Sequence, residues 1–382
     1  MSAWPEKFVI GLTGNIATGK SVVRRMLEHI GAFGIDADML SNRAIQKGAP
    51  GYQAVIDVFG RFIVDESGQI DRSRLGQLVF SDPEALLMLE SIVHPLVREA
   101  VDVLVRKSKN SVVVVEAIKL LESPIYQACD VIWVTTSEPS RQLKRLQDSR
   151  GMLKEEAEMR MAAQSGQEDK VAKADTVIFN NGSIESTWEQ VRAAWKLLFP
   201  EADEGSISTQ VTRKLDSDGV QGPKVRRARP GQAGYIADFI SAHHEDLETS
   251  QEEVMDSFGD KAYLLLEVDE RLVGLLGWKV ENLVARVDDI VFSPEVSVDE
   301  GLPILMDEVE KASNELQCEA ALIFVEGALA ARQEFWAELG YRAREIQDLD
   351  AGAWQEAAIE SFRKGSVMLF KQLRNDRILR PF

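Results

Sequence analysis

The sequence predicts an α/β unit built on a parallel sheet, followed by a second unit of α+β type. Up to residue 200, short β-branched runs alternate with amphipathic helical patterns, the order of a parallel sheet covered on both faces. Residues 201–224 (EADEGSISTQVTRKLDSDGVQGPK) are polar, rich in Gly, Ser and Asp, and carry no helical or strand period, which marks a flexible linker. Beyond them the pattern changes to an antiparallel meander with a βαβ-like tail. A chain of 382 residues accommodates two such units, at 1–200 and 225–375.

In the first unit, strands are expected at Phe8–Thr13, 32–35, Val112–Glu116, 131–135 and Thr176–Phe179, each bounded by turn or capping residues. Residues 21–30 read as a helix, because Val22, Val23, Met26, Leu27 and Ile30 share one face. The long interval 41–109 is mostly helical and reads as an inserted helical subdomain. In the second unit a helix at 231–242 precedes a hairpin, 263–268 and 271–280, turning at Asp269-Glu270. A third strand at Val284–Phe292 follows, then a helix at 302–316, a strand at Ala320–Val325, a helix at 328–339 and a last strand at 366–371.

Composition bounds the function. With 45% hydrophobic and 28% charged residues the chain is globular, and no apolar run approaches the ~20 residues of a membrane span. Met1–Lys7 lacks the basic and apolar stretches of a signal peptide, and Cys129 and Cys318 have no metal-site neighbours, so a reducing, cytoplasmic location is expected. The net charge of −18 argues against nucleic-acid and anionic-membrane partners. It is unevenly spread: residues 1–205 hold 24 basic and 29 acidic groups, net −5, and the remainder 20 and 33, net −13. An anionic ligand belongs with the first half. The oligomeric state is not legible.

The strongest motif is Gly14-Asn15-Ile16-Ala17-Thr18-Gly19-Lys20-Ser21, a complete GxxxxGK[ST] between an apolar strand and an amphipathic helix. Its glycines let backbone N–H groups converge on a phosphate, and the helix N-terminus adds positive potential. Lys20 then reaches the β- and γ-phosphates of a nucleotide such as ATP, and the Ser21 hydroxyl binds Mg²⁺. Asp36 and Asp38 close the second strand, where open α/β sheets place ligands. By position alone, Asp38 serves equally as a helix N-cap or as the base that accepts a hydroxyl proton.

The string 11–21 (GLTGNIATGKS), then Ile35-Asp36-Ala37-Asp38, His94-Pro95-Leu96-Val97-Arg98, Gln142–Leu146 and 174–182 (ADTVIFNNG) together resemble dephospho-CoA kinases over about residues 7–198. The resemblance implies a P-loop kinase parallel sheet with a helical insert. It also implies transfer of the γ-phosphoryl of ATP to the ribose 3′-hydroxyl of dephospho-CoA, with Asp38 as general base, Asp36 in support, and the insert as acceptor-binding subdomain. Arg141, Arg145 and Arg150 fall in a lid that clamps phosphates and excludes water, and Arg98 and His94 are candidates for acceptor contact. His94 equally suits a merely structural place ahead of Pro95. The sequence departs from the family at Asn15 and Ala17, where glycines are usual, at Ile118-Lys119 in place of a proline-leucine pair, and at Phe179 in place of an aspartate.

From Val225 the order of elements, with the strings 225–233 (VRRARPGQA) and 331–341 (ARQEFWAELGY), resembles GNAT acetyltransferases, so the whole chain is expected as a kinase fused to an α+β GNAT-like domain. Such enzymes need a basic, Gly-rich loop for the pyrophosphate of acetyl-CoA. Residues 293–303 (SPEVSVDEGLP) instead contain one glycine, no arginine, and the acids Glu295, Asp299 and Glu300. Like charge at that point opposes the ligand, so the module is expected to be degenerate, with a non-catalytic or regulatory role, the alternative being an active or CoA-thioester-sensing acetyltransferase domain. His243-His244-Glu245-Asp246 reads as a solvated helix end rather than a metal cluster, Trp336 as core, and the basic residues from Arg374 to Arg380 as a frayed end.

Overall fold

The computed structural model describes residues 3–374 except 151, 165, 201–222, 245–248, 282 and 364. The first half runs β1 (Phe8–Thr13), α1 (Lys20–His29), β2 (Phe33–Asp36), α2 (Ala37–Ala44), α3 (Tyr52–Phe59), α4 (Arg72–Ser81), α5 (Pro83–Lys107), β3 (Val112–Glu116), β4 (Val131–Thr136), α6 (Pro139–Arg150), α7 (Lys154–Ala162), α8 (Gln167–Val171), β5 (Thr176–Phe179) and α9 (Ile184–Leu198). The strands form one five-stranded sheet of order β2-β3-β1-β4-β5, parallel throughout. Alternation along the strands divides the core. Val9, Val113 and Val115 pack with the helical insert, while Ile10, Leu12, Val112 and Val114 pack with Val23, Met26 and Leu27 of α1 and Val191 of α9. β3 is buried along its whole length, as a β-branched run between two neighbours should be.

The second half runs β6 (Lys224–Arg227), α10 (Ala233–His243), α11 (Gln251–Ser257), β7 (Ala262–Val268), β8 (Arg271–Glu281), β9 (Val284–Phe292), α12 (Val298–Glu315), β10 (Ala320–Val325), α13 (Gly327–Ala330), α14 (Gln333–Glu338), β11 (Arg342–Ala343), α15 (Gly352–Ser361) and β12 (Val367–Gln372). Its seven strands are ordered β11-β12-β10-β9-β8-β7-β6. β9 and β10 pair in parallel across α12, as the βαβ reading expects, and the other neighbours are antiparallel. Asp269 and Glu270 both have positive φ, 48° and 64°, which is the backbone of a two-residue hairpin turn.

Several expectations are corrected. The predicted helix at 328–339 is two short pieces interrupted at Ala331-Arg332, and α15 carries too weak an apolar period to be foreseen. α12 starts at Val298 rather than 302, because Ser297 caps it through Glu300 N, so Asp299 and Glu300 sit in its first turn and not in a loop. Lys224, read as linker, is the first residue of β6, and the linker's residues 201–222 lie outside those described. So do Glu245 and Asp246 and the basic end beyond Arg374; among the described residues no cluster of three metal-ligating side chains occurs. Also among them, no helix is long and apolar enough to cross a membrane.

The second half packs against the C-terminal end of α1 and, through α11, against α9. Leu283 and Leu316 join the insert-side core. Among the described residues, ion pairs that span the seam include Arg43–Glu319 at 2.7 Å, Arg72–Glu356 at 2.9 Å, Lys109–Glu315 at 3.4 Å and Arg25–Asp260 at 3.5 Å. Only Arg43–Glu319 is fully buried, so it alone is costly to break, at roughly 3–5 kcal/mol, while the exposed pairs contribute about 1 kcal/mol or less each.

His29 ends α1 at this seam, with the rings of Trp188 and Phe258 against it and its Nε2 donating to the Phe258 carbonyl at 3.2 Å. Burial, reinforced by Arg227 and Arg25, pushes its pKa down to about 3. The native state therefore refuses a proton that the unfolded chain binds below about pH 6.5, and this contribution to stability is lost as the pH falls below that value, at up to about 1.4 kcal/mol per pH unit. Urea denaturation at pH 7 and pH 5 is expected to show a larger acid loss for the wild type than for His29→Gln. Equal losses would exclude His29 as the titrating group.

Candidate active site

The phosphate loop lies between β1 and α1, and its glycines are fixed by their surroundings. A Cβ on Gly14, where φ is 151°, would stand 2.4 Å from the Thr135 carbonyl, and one on Gly19, where φ is 93°, would stand 1.9 Å from Asn180 Nδ2. Ala17 has φ 59°, so the residue found where glycine is usual still adopts a glycine-like backbone and carries its strain.

The loop is braced from three strands and helices. Thr18 Oγ1 bonds the Asn15 carbonyl and Thr135 Oγ1, each at 2.8 Å, and Asn180 Nδ2 donates to the Thr18 carbonyl at 3.0 Å. Arg145 of α6 donates to the carbonyls of Ala17 at 3.1 Å and Asn180 at 2.9 Å. Ile16 and Ala17 also pack against Leu143, Leu146, Ala157 and Met161, so α6 and α7 form a cover over the loop. The amides of Ile16 and Asn15 donate to the side-chain oxygens of Gln164 and Gln167, at 2.7 and 3.1 Å. Neutral oxygens thus accept from two loop N–H groups of the kind that phosphate oxygens take.

Three carboxylates converge beside the loop. Glu116, which closes β3 and is 3% exposed, accepts from the Ser21 hydroxyl at 2.9 Å and from Arg24 Nε at 2.8 Å. Arg24 also pairs with Glu28. Burial alone would lower its pKa, but Glu28 and Glu116 hold it raised, so it stays charged. Asp36 is the N-cap of α2, accepting from Met39 N at 2.9 Å. Burial, with Glu116 nearby, pushes its pKa up to about 7, so near neutrality it holds its proton part of the time.

Asp38 is not the cap that its position allowed; it lies in the first turn of α2 and accepts from Ile118 N at 3.0 Å. Burial raises its pKa, and Lys20 and the Ile118 amide oppose the rise. A proline at 118 has no N–H to donate, so the departure from the family pattern supplies this bond. The Ile118 carbonyl accepts from Lys170 Nζ at 2.9 Å and Thr13 Oγ1 at 3.1 Å. Lys170 is buried, its pKa lowered by burial and by Lys20.

Of the residues singled out from the sequence, Gly14–Ser21, Lys20, Asp36, Asp38 and Arg145 are thus gathered at and beside the loop. Arg141 is on the exposed face of α6, and Arg150 ends α6 with a side chain outside the described residues. His94 and Arg98 are exposed within α5, which continues through Pro95, and the structure does not bond them to the loop. Glu90, one turn before His94, pairs with Lys119 at 2.8 Å, which brings that stretch of α5 beside the Ile118 segment. Sequence reasoning missed Glu116, Lys170 and Gln167, and gave Gln164, within the family-like segment Arg160–Gln164, no role of its own. Only Glu116 had a local signal, an acid closing a five-residue apolar strand.

A GxxxxGK[ST] loop at the head of a parallel sheet, with a carboxylate on its serine and a covering pair of helices, defines a P-loop phosphotransferase. Residues 8–186 match the family described as dephospho-CoA kinase. The dephospho-CoA kinase of Carboxydothermus hydrogenoformans is 44% identical over 186 residues, 48% of this chain and 90% of that protein. The chain belongs to the dephospho-CoA kinase family, and its first half carries that ATP-using activity of coenzyme A synthesis. Among solved structures, TT1252 from Thermus thermophilus covers 50% of this chain and 98% of its own, at 30% identity and TM-score 0.46. A GNAT-family acetyltransferase of Staphylococcus aureus Mu50 covers 40% of the chain and all of its own, at 14% identity and TM-score 0.32.

The oxygens of Ser21 and Glu116 suit a hard divalent cation such as Mg²⁺, which usually keeps several waters and binds few protein ligands. Glu116→Gln keeps the shape but removes the charge. It is expected to raise the Mg²⁺ concentration needed for half-maximal turnover by about tenfold or more, because second-sphere partners of a metal carry effects of that size. An unchanged Mg²⁺ dependence in a magnesium titration of the rate would remove Glu116 from the metal's surroundings.

Proposed function

We propose that the chain transfers the γ-phosphoryl of Mg²⁺–ATP to the 3′-hydroxyl of dephospho-CoA, with the second half as a non-catalytic GNAT-like module. The observation that carries the kinase reading is the placement of Asp38, anchored on Ile118 N and facing the charge of Lys20. In that place its free oxygen accepts the proton of an attacking hydroxyl, while the Ile118 amide fixes its orientation. Lys20, Lys170 and Arg145 supply positive charge around the loop, and its N–H groups hold the phosphates against bonds now made to Gln164 and Gln167. The metal, when bound, neutralises charge on the phosphates; Ser21 holds it, and Glu116 orients Ser21. Gly14–Ser21 is the nucleotide cradle, Arg141 and Arg150 extend the lid, and Asp36, His94 and Arg98 are assigned to the acceptor side. The units are 1–200 and, with Lys224 now in β6, 224–375.

The reading of the tail rests on the N-terminus of α12. Ser297 caps it, Asp299 and Glu300 fill its first turn, and Arg332 forks onto Asp299 at 2.7 and 3.0 Å. A helix start stabilised by its own acids has little left to offer a pyrophosphate.

An ATP-consumption assay with dephospho-CoA tests the first part. Asp38→Asn is expected to lower turnover by about 100-fold or more with nucleotide affinity nearly unchanged; wild-type turnover would remove Asp38 as the base. For the tail, thiol release from acetyl-CoA in the presence of amines should stay at background. Release above background would overturn the non-catalytic reading.

A further inference from the structure

α8 is one short turn of helix, and two of its side chains face the site. Glu168 and Asp169 are exposed, whereas Gln167 is half-buried and Lys170 is 3% exposed. The two inner residues are three apart and so share a face. Gln167 accepts from Asn15 N at 3.1 Å and donates to the Thr135 carbonyl at 3.0 Å, which pins the start of α8 to the phosphate loop and to the end of β4. From that fixed base Lys170 reaches the Ile118 carbonyl at 2.9 Å. Burying an ammonium is costly, and a carboxylate is its usual partner. Here the bond goes to a neutral backbone oxygen, and Glu122 and Asp38 act on Lys170 by charge.

Ile118 is the residue whose amide holds Asp38. Its N–H donates to Asp38 Oδ2 at 3.0 Å, and its carbonyl accepts from Lys170 and, at 3.1 Å, from Thr13 Oγ1. The backbone itself gives this residue little support. The ladder between β1 and β3 ends one residue earlier, where Ala117 N meets the Leu12 carbonyl at 3.0 Å, and the next turn begins only at Leu120. Side chains must therefore fix the orientation of Ile118. Thr13, at the end of β1, and Lys170 do so at the oxygen, while the nitrogen side carries Asp38. The charge of Lys170 works in the same sense as the bond. Burial raises the Asp38 pKa, with Glu116 adding to the rise, and Lys20, the Ile118 amide and Lys170 oppose it.

We propose that Lys170 is a positioning residue for phosphoryl transfer, holding Ile118 so that the Ile118 amide sets Asp38 at the attacking hydroxyl. The inference rests on Asp38 as the base. Two features separate Lys170 from a lysine that only adds charge to the loop: its ammonium already has a backbone partner, and that partner anchors the base. Because Gln167 of the same turn is bonded to the loop, α8 also ties the placement of the base to the placement of the phosphates.

The full chain is assayed for ATP consumption with dephospho-CoA, and its ATP affinity is measured by calorimetry. Lys170→Met keeps most of the stem and deletes the ammonium. It is expected to lower kcat by about tenfold or more, since small misplacements of a reacting group carry effects of that size. ATP affinity should stay within about twofold. In an Asp38→Asn background the same substitution should cost no more than about a further twofold, because a residue that acts through the base then has nothing left to act on. A lysine serving only the phosphates would slow both backgrounds alike and weaken ATP, and that result overturns the proposal. So does wild-type kcat in a Lys170→Met chain shown by circular dichroism to be folded. Should the apolar variant not fold, Lys170→Gln, polar and one atom shorter, is held to the same criteria. Wild-type turnover by Asp38→Asn would instead remove the base itself, so that failure is distinct from a failure of Lys170 alone.

Discussion

A carboxylate buried at the end of a central strand has to be met by charge and by donors, and Glu116 receives both from one helix. Ser21 and Arg24, three residues apart on α1, reach it together, and Arg24 is then shared with Glu28 one turn further on. The buried set is satisfied only if α1 lies over β3 in one rotation and one register. That rotation fixes where the phosphate loop ends and where Lys20 and Ser21 point. Removing one partner from such a set would leave a charge in a low-dielectric interior, a cost of roughly 3–5 kcal/mol, so the network holds the loop's geometry as well as its chemistry.

The same helix carries the consequence to the seam. Glu28 and His29 end α1 where the second half packs. Across this seam four ion pairs share one polarity, with cations Arg25, Arg43, Arg72 and Lys109 from the first half and anions Asp260, Glu319, Glu356 and Glu315 from the second. The charge asymmetry of the chain therefore has a structural use. Acids of the tail meet bases of the kinase half, in addition to standing at the start of α12, where they oppose an anionic ligand.

The five parallel strands, α1 and the hairpin at Asp269-Glu270 were legible because each is a local pattern: β-branched runs, one apolar helical face, and a polar pair between two strands. The start of α12 was misplaced because Ser297 capping is a weak local signal beside the apolar residues that begin at Leu302. α15 was missed because its burial comes from β9 and β10, not from its own period. Within the site, the loop motif was legible from spacing, whereas for Asp38 spacing left a cap and a base equally open and only the family resemblance chose between them. Lys170 was not legible, because nothing in QEDKV distinguishes a solvated lysine from one that folds back onto the Ile118 carbonyl, 52 residues away.

The sequence by itself determined the parallel sheet, the phosphate loop with Lys20 and Ser21, and the family to which the chain belongs, because these are carried by residue types at short, fixed spacings. Tertiary structure alone decided that Asp36 caps α2 while Asp38 is turned to Ile118, that Glu116 holds Ser21, and that Glu319 of the acidic second half pairs with Arg43 of α2. The Asp36 cap is made three residues away, but the other outcomes depend on burial and on partners 80 to 276 residues apart. A carboxylate's role is set by which donors and charges surround it after folding, and sequence spacing does not contain that distance.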